Sequence, residues 1–160
     1  MFLSLCLVLS VLFVLIVIDM IGQNNVFNIR YNKRNHWQGQ TGSFRGFCNF
    51  DTRDNAIRAC FVLLVNYIRN GYDTYRKIIY RFAPPKENDS EAYLNFVCKA
   101  PIGVLPDIDP DKEVALYDDL LRLMCKMAKM ENGVDLSFKI ILNAIHREND
   151  TFLFSRIKTV

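Results

Sequence analysis

Residues Met1 to Ile18 read MFLSLCLVLSVLFVLIVI. They carry no charge, and Ser4 and Ser10 are their only polar side chains. An apolar run of about 18 residues reaches the lower limit for crossing a ~30 Å hydrocarbon core. Met20 and Ile21 extend the run if Asp19 reaches the headgroups. The run is apolar all round and lacks the polar face of a helix that covers a globular core. No Lys or Arg precedes it, and VIDMIG offers no small-residue cleavage site, so an uncleaved anchor is expected over a secretory signal peptide. Residues 1–21 are therefore read as a transmembrane anchor or uncleaved signal, with membrane contact through residues 2–18. Residues 22–160 are read as one globular helical domain. Arg30, Lys33 and Arg34 follow the span and nothing basic precedes it, a bias that on its own favours a cytoplasmic domain.

The chain of 160 residues is long enough for one domain. Its net charge of +3 is too modest for wholesale nucleic-acid binding, so no nucleic-acid partner is expected. From Gln23 to Phe50 the sequence is rich in Asn, Gly, Gln and aromatics, and pieces such as FRGFCNF predict loop with a small strand or hairpin pair. About five helices follow. Thr52 or Asp54 caps one that runs to about Asn70, with Ile57, Cys60, Phe61, Leu64 and Ile68 on one face. Thr74 caps TYRKIIYRF, which Pro84 and Pro85 stop. Asn88, Asp89 or Ser90 caps EAYLNFVCK. Asp109 followed by Pro110 reads as an N-cap with proline at the first helical position. That helix is expected to reach about Met130, with Val114, Tyr117, Leu121, Met124 and Ala128 inward and Gly133 closing it. A last helix is expected over about Leu136 to Arg147. The fold class expected is mainly α: a transmembrane helix, a short loop and β segment, then these helices.

The residues that carry chemistry are few. No phosphate-binding loop, dinucleotide fingerprint, nucleophile elbow or zinc-helix motif occurs, so no cofactor and no metal is expected. His36 and His146 have no ligand spacing around them. Outside the apolar run the cysteines are Cys48, Cys60, Cys98 and Cys125, without a C-x-x-C pair. They read as buried thiols, with a disulfide or two as the alternative in an oxidising compartment. Glu131, in KMENG, is an odd choice at a helix C-terminus, where the dipole disfavours a negative charge. A partly desolvated carboxyl at the mouth of a cleft has a raised pKa and can act as a general acid; the alternative is a solvated residue of a last helical turn. Glu87 and Asp89 follow a rigid diproline, where capping is their ordinary role. Asn24, Asn25, Tyr31, Trp37, Gln38 and Phe47 mix flat apolar faces with amides, a combination suited to sugar rings or, equally, to pinning a loop onto a core.

Three blocks together resemble a known family: NNVFNIRYN…HWQGQTGSFRGFCNFDTRDNAIRA, then TYRKIIYRFAPPKENDSEAYLNFV, then KMENG. They are similar to small phage-derived virion or structural proteins of bacteria, which carry N-P-x-N-I-R, W-x-G, A-P-P-x-E-N-x-T and E-N-G motifs. The likeness spans about residues 24 to 133. It departs from the pattern at Val26–Phe27, where the family has a proline-containing turn, and at Phe82. A more distant likeness joins Asn24-Asn25-x-Phe27-x-Ile29-Arg30 to the N-N-x-F-G-I-K segment of peptidoglycan glucosaminidases, with the order of motifs permuted. That likeness implies an α+β, lysozyme-like domain that acts on or docks to peptidoglycan or another envelope glycan, as a glycoside hydrolase or lytic transglycosylase. Glu131 would be the general acid, with Asn24, Asn25, Arg30, Tyr31, Trp37, Glu87 and Tyr93 as substrate-binding residues. It also implies a single-pass protein of the bacterial inner membrane with its domain in the periplasm. The alternative is a non-enzymatic structural or binding protein of a virion or envelope complex.

Overall fold

A computed structural model describes residues 23–100, 106–115 and 118–146. The chain first lays an extended loop, residues 23–31, beside a two-stranded antiparallel hairpin. Strand β1 is Gln40–Phe44 and β2 is Phe47–Phe50, joined through Arg45 and Gly46, both at positive φ. Two successive positive φ values match the right-handed twist of the strands, as in a type I′ turn. The loop adds to the far side of β2: Cys48 N–H donates to Ile29 O at 2.9 Å and Phe50 N–H to Gln23 O at 2.9 Å.

Among the described residues five helices follow: α1 Arg53–Arg69, α2 Tyr75–Phe82, α3 Ser90–Cys98, α4 Asp118–Asn132 and α5 Phe138–Ile145. Their starts are set by side-chain caps. Thr52, Thr74, Asp89 and Ser137 each accept a backbone N–H of the first turn, satisfying a donor that has no intrahelical partner. Helix α1 is central and packs on α5, α4, α2 and β2. It buries Ile57, Cys60, Phe61 and Leu64 against Leu120, Leu123, Met124 and Met127 of α4 and Ile141 and Ile145 of α5, within one continuous core. The hairpin and loop contribute Phe27, Ile29, Cys48 and Phe50 to that core.

Two features differ from what the sequence predicts. No helix among the described residues is long and apolar enough to cross a membrane. The apolar run at residues 1–21 lies outside the described residues. Among the described residues the architecture is five helices and one hairpin, and it does not point to a single-pass inner-membrane protein. The second correction concerns Asp109–Pro110. These residues form a turn, with Lys112 N–H donating to Asp109 O at 3.0 Å and Asp111 N–H to the Asp109 carboxylate at 2.9 Å. Asp then Pro is also the signal for the first two positions of a type I turn. Tertiary pairing decides between the two readings. Pro110 O accepts from Arg76 N–H in the first turn of α2, and Val114 N–H donates to Asp73 O, so the segment straps the start of α2. Helix α4 is described only from Asp118. Tyr117 and the tail from residue 147 lie outside the described residues.

Candidate functional site

An open cavity of about 900 Å³ lies where the N-terminal loop, β2, α1, the α2–α3 connection and the end of α4 meet. That size is in the range of small-ligand sites. Glu131, Arg30, Trp37 and Glu87 all line it.

Glu131 is placed by the end of α4. Gly133, at φ +66, turns the chain out of the helix, with Gly133 N–H donating to Lys129 O at 2.9 Å. The left-handed residue is what terminates a helix this way and what glycine tolerates best. The next residue back, Asn132, reaches across to the loop and donates to Asn28 Oδ1 at 3.2 Å and Asn25 O at 3.4 Å. Asn28 in turn sits at φ +48 and donates to Glu131 Oε2 at 2.9 Å and to Glu131 O at 3.3 Å. Glu131-Asn132 therefore clamps the N-terminal loop to the helix end.

Burial raises the Glu131 pKa above the ordinary value. The Asn28 hydrogen bond, the nearby Tyr93 hydroxyl and the Arg30 charge act in the opposite direction without cancelling it. Cys60 lies beneath Glu131, and its ionisation is suppressed by burial and by that carboxylate. The second carboxylate of the cavity, Glu87, is ion-paired with Arg30. The Arg30 guanidinium also stacks over the Phe47 ring at 5.5 Å. The Trp37 indole N–H is buried without an acceptor among the described residues.

The chain matches no protein-family model and no curated protein. The functional reading therefore rests on this geometry.

Several of the residues named from sequence do not face the cavity. Asn25 is buried and uses both ends of its amide on backbone: Nδ2 donates to Ile29 O and Cys48 O at 3.0 Å, and Oδ1 accepts from Ile29 N–H at 2.9 Å. Asn24, at φ +58, donates to Phe50 O at 2.9 Å and Asp51 O at 3.1 Å. Both asparagines staple the loop to the hairpin and lie outside the cavity wall. Tyr31 is 45% exposed on the surface but outside the cavity wall. Tyr93 is 4% exposed and stands behind Glu131, where burial first and then the carboxylate hold its hydroxyl protonated. Gln38 is not part of the wall, and Asp89 caps α3.

In their place the cavity gathers residues that sequence patterning passed over. Leu63, Asn66 and Tyr67 of α1 and its C-cap Asn70 form one stripe, at i, i+3, i+4 and i+7. Asn28, Asn32 and Asn35 from the segment before β1 and Asn88 from the α2–α3 connection bring more amides, and Tyr72 and Arg81 also line the wall. A helical stripe carrying Asn at two of four positions, beside an otherwise apolar face, was the signal available for Asn66 and Asn70.

Cys48, Cys60, Cys98 and Cys125 are free thiols, the first three buried. Burial pushes Cys48 and Cys98 up to about 11 and raises Cys60 and Cys125, so none is a thiolate nucleophile at neutral pH. Among the described residues no group of three His, Cys, Asp or Glu side chains is placed to hold a metal ion.

Proposed function

We propose that the cavity binds a glycan strand, with peptidoglycan as the substrate class, and that Glu131 donates a proton to a glycosidic oxygen. One observation carries the reading: a carboxyl with a raised pKa in the wall of an open cavity that also holds a tryptophan and many amides. Sugar rings present apolar faces to aromatic side chains and hydroxyls to amides, and Asn both donates and accepts. A carboxyl whose pKa is raised by burial is better matched to general-acid work than a solvated one.

The two carboxylates of the wall have different surroundings. Glu87 is ion-paired with Arg30, whereas Glu131, its pKa raised by burial, is the one poised to hold and release a proton. When Glu131 gives its proton to the leaving oxygen, the bond to the anomeric carbon breaks and oxocarbenium character develops. The Glu131 carboxylate then takes a proton from the attacking hydroxyl, either water or the sugar's own C6 hydroxyl. The first route leaves a reducing end and the second a 1,6-anhydro end. Asn28 steadies the carboxylate between the two transfers.

Incubating the purified chain with peptidoglycan sacculi and identifying the released fragments by mass spectrometry tests the reading. Soluble fragments with new reducing or anhydro ends are expected. Retention on sacculi without fragments would assign the cavity to binding alone. Neither retention nor fragments would discard the glycan reading.

A further inference from the structure

The cavity has a second pole. Arg81, in the last turn of α2, lies against two tyrosine rings at once, with its guanidinium carbon 5.9 Å from the Tyr67 centroid and 5.6 Å from that of Tyr72. The two rings are 6.0 Å apart and tilted by 57°. A guanidinium stacked this way is held in place while its N–H edge remains available for an anion. The other helix cations of this region are already engaged: Arg76 with Asp111 and Glu91, and Lys77 with Asp73. Among the described residues no carboxylate lies within ion-pair distance of Arg81.

Charge within the wall points the same way. Arg30 and Arg81 are positive and Glu87 is negative. Glu87 is taken up by Arg30, which leaves Arg81 as the cation of the wall without a carboxylate partner among the described residues. Helix α1 gives the scale. Cys60 is close to Glu131, and Tyr67 is under Arg81. From Cys60 to Tyr67 a helix advances about 10 Å. A ligand that reached both poles would carry its negative charge roughly that far from the bond under Glu131.

We propose that Arg81, framed by Tyr67 and Tyr72, binds a carboxylate carried by the glycan strand, at the end of the cavity remote from Glu131. The inference rests on the glycan reading above and adds to it the selection of an acidic strand over a neutral one. Arg81 touches the substituent, not the reacting atoms, so it sets specificity and does not take part in proton transfer.

The test uses the non-cleaving Glu131→Gln chain and two strands of equal length. One is a peptidoglycan strand stripped of its peptides, which bears a lactyl carboxylate on every second sugar. The other is a chitin oligosaccharide, with the same backbone linkage and no carboxylate. Calorimetry is expected to give a preference of about tenfold or more for the acidic strand, the scale of one charge-assisted hydrogen-bond pair. Arg81→Gln should bring the two affinities to within about twofold by weakening only the acidic strand. Arg81→Lys should keep part of the preference, and added salt should erode it. Equal affinity for the two strands, or a preference that survives Arg81→Gln in a chain with unchanged melting temperature, would overturn the inference and leave the glycan reading standing. Binding to neither strand would remove the glycan reading and the inference with it.

Discussion

Glu131 and Asn28 form a pair whose proton balance can be read from either side. The folded state raises the Glu131 pKa from its ordinary 4.5, so the protonated form is favoured on folding. The stability this group contributes is fully present below that ordinary value. It is lost as pH rises through the raised folded value, because ionising the unfolded chain is then the easier process. Glu131→Gln removes this loss. The variant's melting temperature relative to the parent is therefore expected to climb with pH above 4.5 and then level off, a pattern differential scanning calorimetry would show. A constant offset at all pH values would mean the carboxyl is not desolvated. Asn28 acts on the charged form, donating to Glu131 Oε2 and lowering its pKa. Asn28→Gly keeps the left-handed backbone at this position and deletes that donor. The descending limb of the pH–rate profile for glycan cleavage should then move to higher pH, since the acid keeps its proton longer. A limb that stays in place or moves down would separate Asn28 from the acid.

At the scale of elements, local signals and tertiary contacts divide the explanation. Thr52, Thr74 and the run after Asp89 were readable as helix starts because the side-chain acceptor and the first turn lie within a few residues of each other. The hairpin was readable from Phe47, Cys48 and Phe50 beside glycine. Asp109–Pro110 was misread because its turn and helix readings share the same two residues, and only the pairing with Asp73 and Arg76 separates them. The site was partly legible. Glu131, Arg30, Trp37 and Glu87 reach one cavity, while Asn24 and Asn25 turn their amides onto backbone that lies far along the chain. A carbonyl partner at Cys48 or Phe50 leaves no trace in the sequence around Asn25. The cap reading has a direct check: Thr74→Ala should cost about 1 kcal/mol in urea unfolding. Gly39 is a stricter case, since it holds φ +69 and a Cβ there would come within 2.0 Å of Asn55 Nδ2 and 2.4 Å of Asp51 Oδ1. Gly39→Ala should cost more than the ~1 kcal/mol of an ordinary glycine substitution, and a loss no larger than that would argue against the close approach.

At the scale of the molecule, the cavity is walled by segments from both halves of the described chain, and Asn28, Glu131 and Asn132 tie those halves together. Occupancy of the cavity should stabilise the whole fold. A strand present at 100 times its dissociation constant adds about 2.7 kcal/mol, visible as a higher melting temperature for both the parent and Glu131→Gln. No helix among the described residues is long and apolar enough to cross a bilayer, and residues 1–21 lie outside them. The claim that the folded chain exists to aim one protonated carboxyl at a glycan is tested most directly by comparing the parent and Glu131→Gln in the release of soluble fragments from purified peptidoglycan. The parent should release fragments, and the variant should be slower by about 100-fold or more while still binding the strand. Equal rates for the two chains would contradict the account.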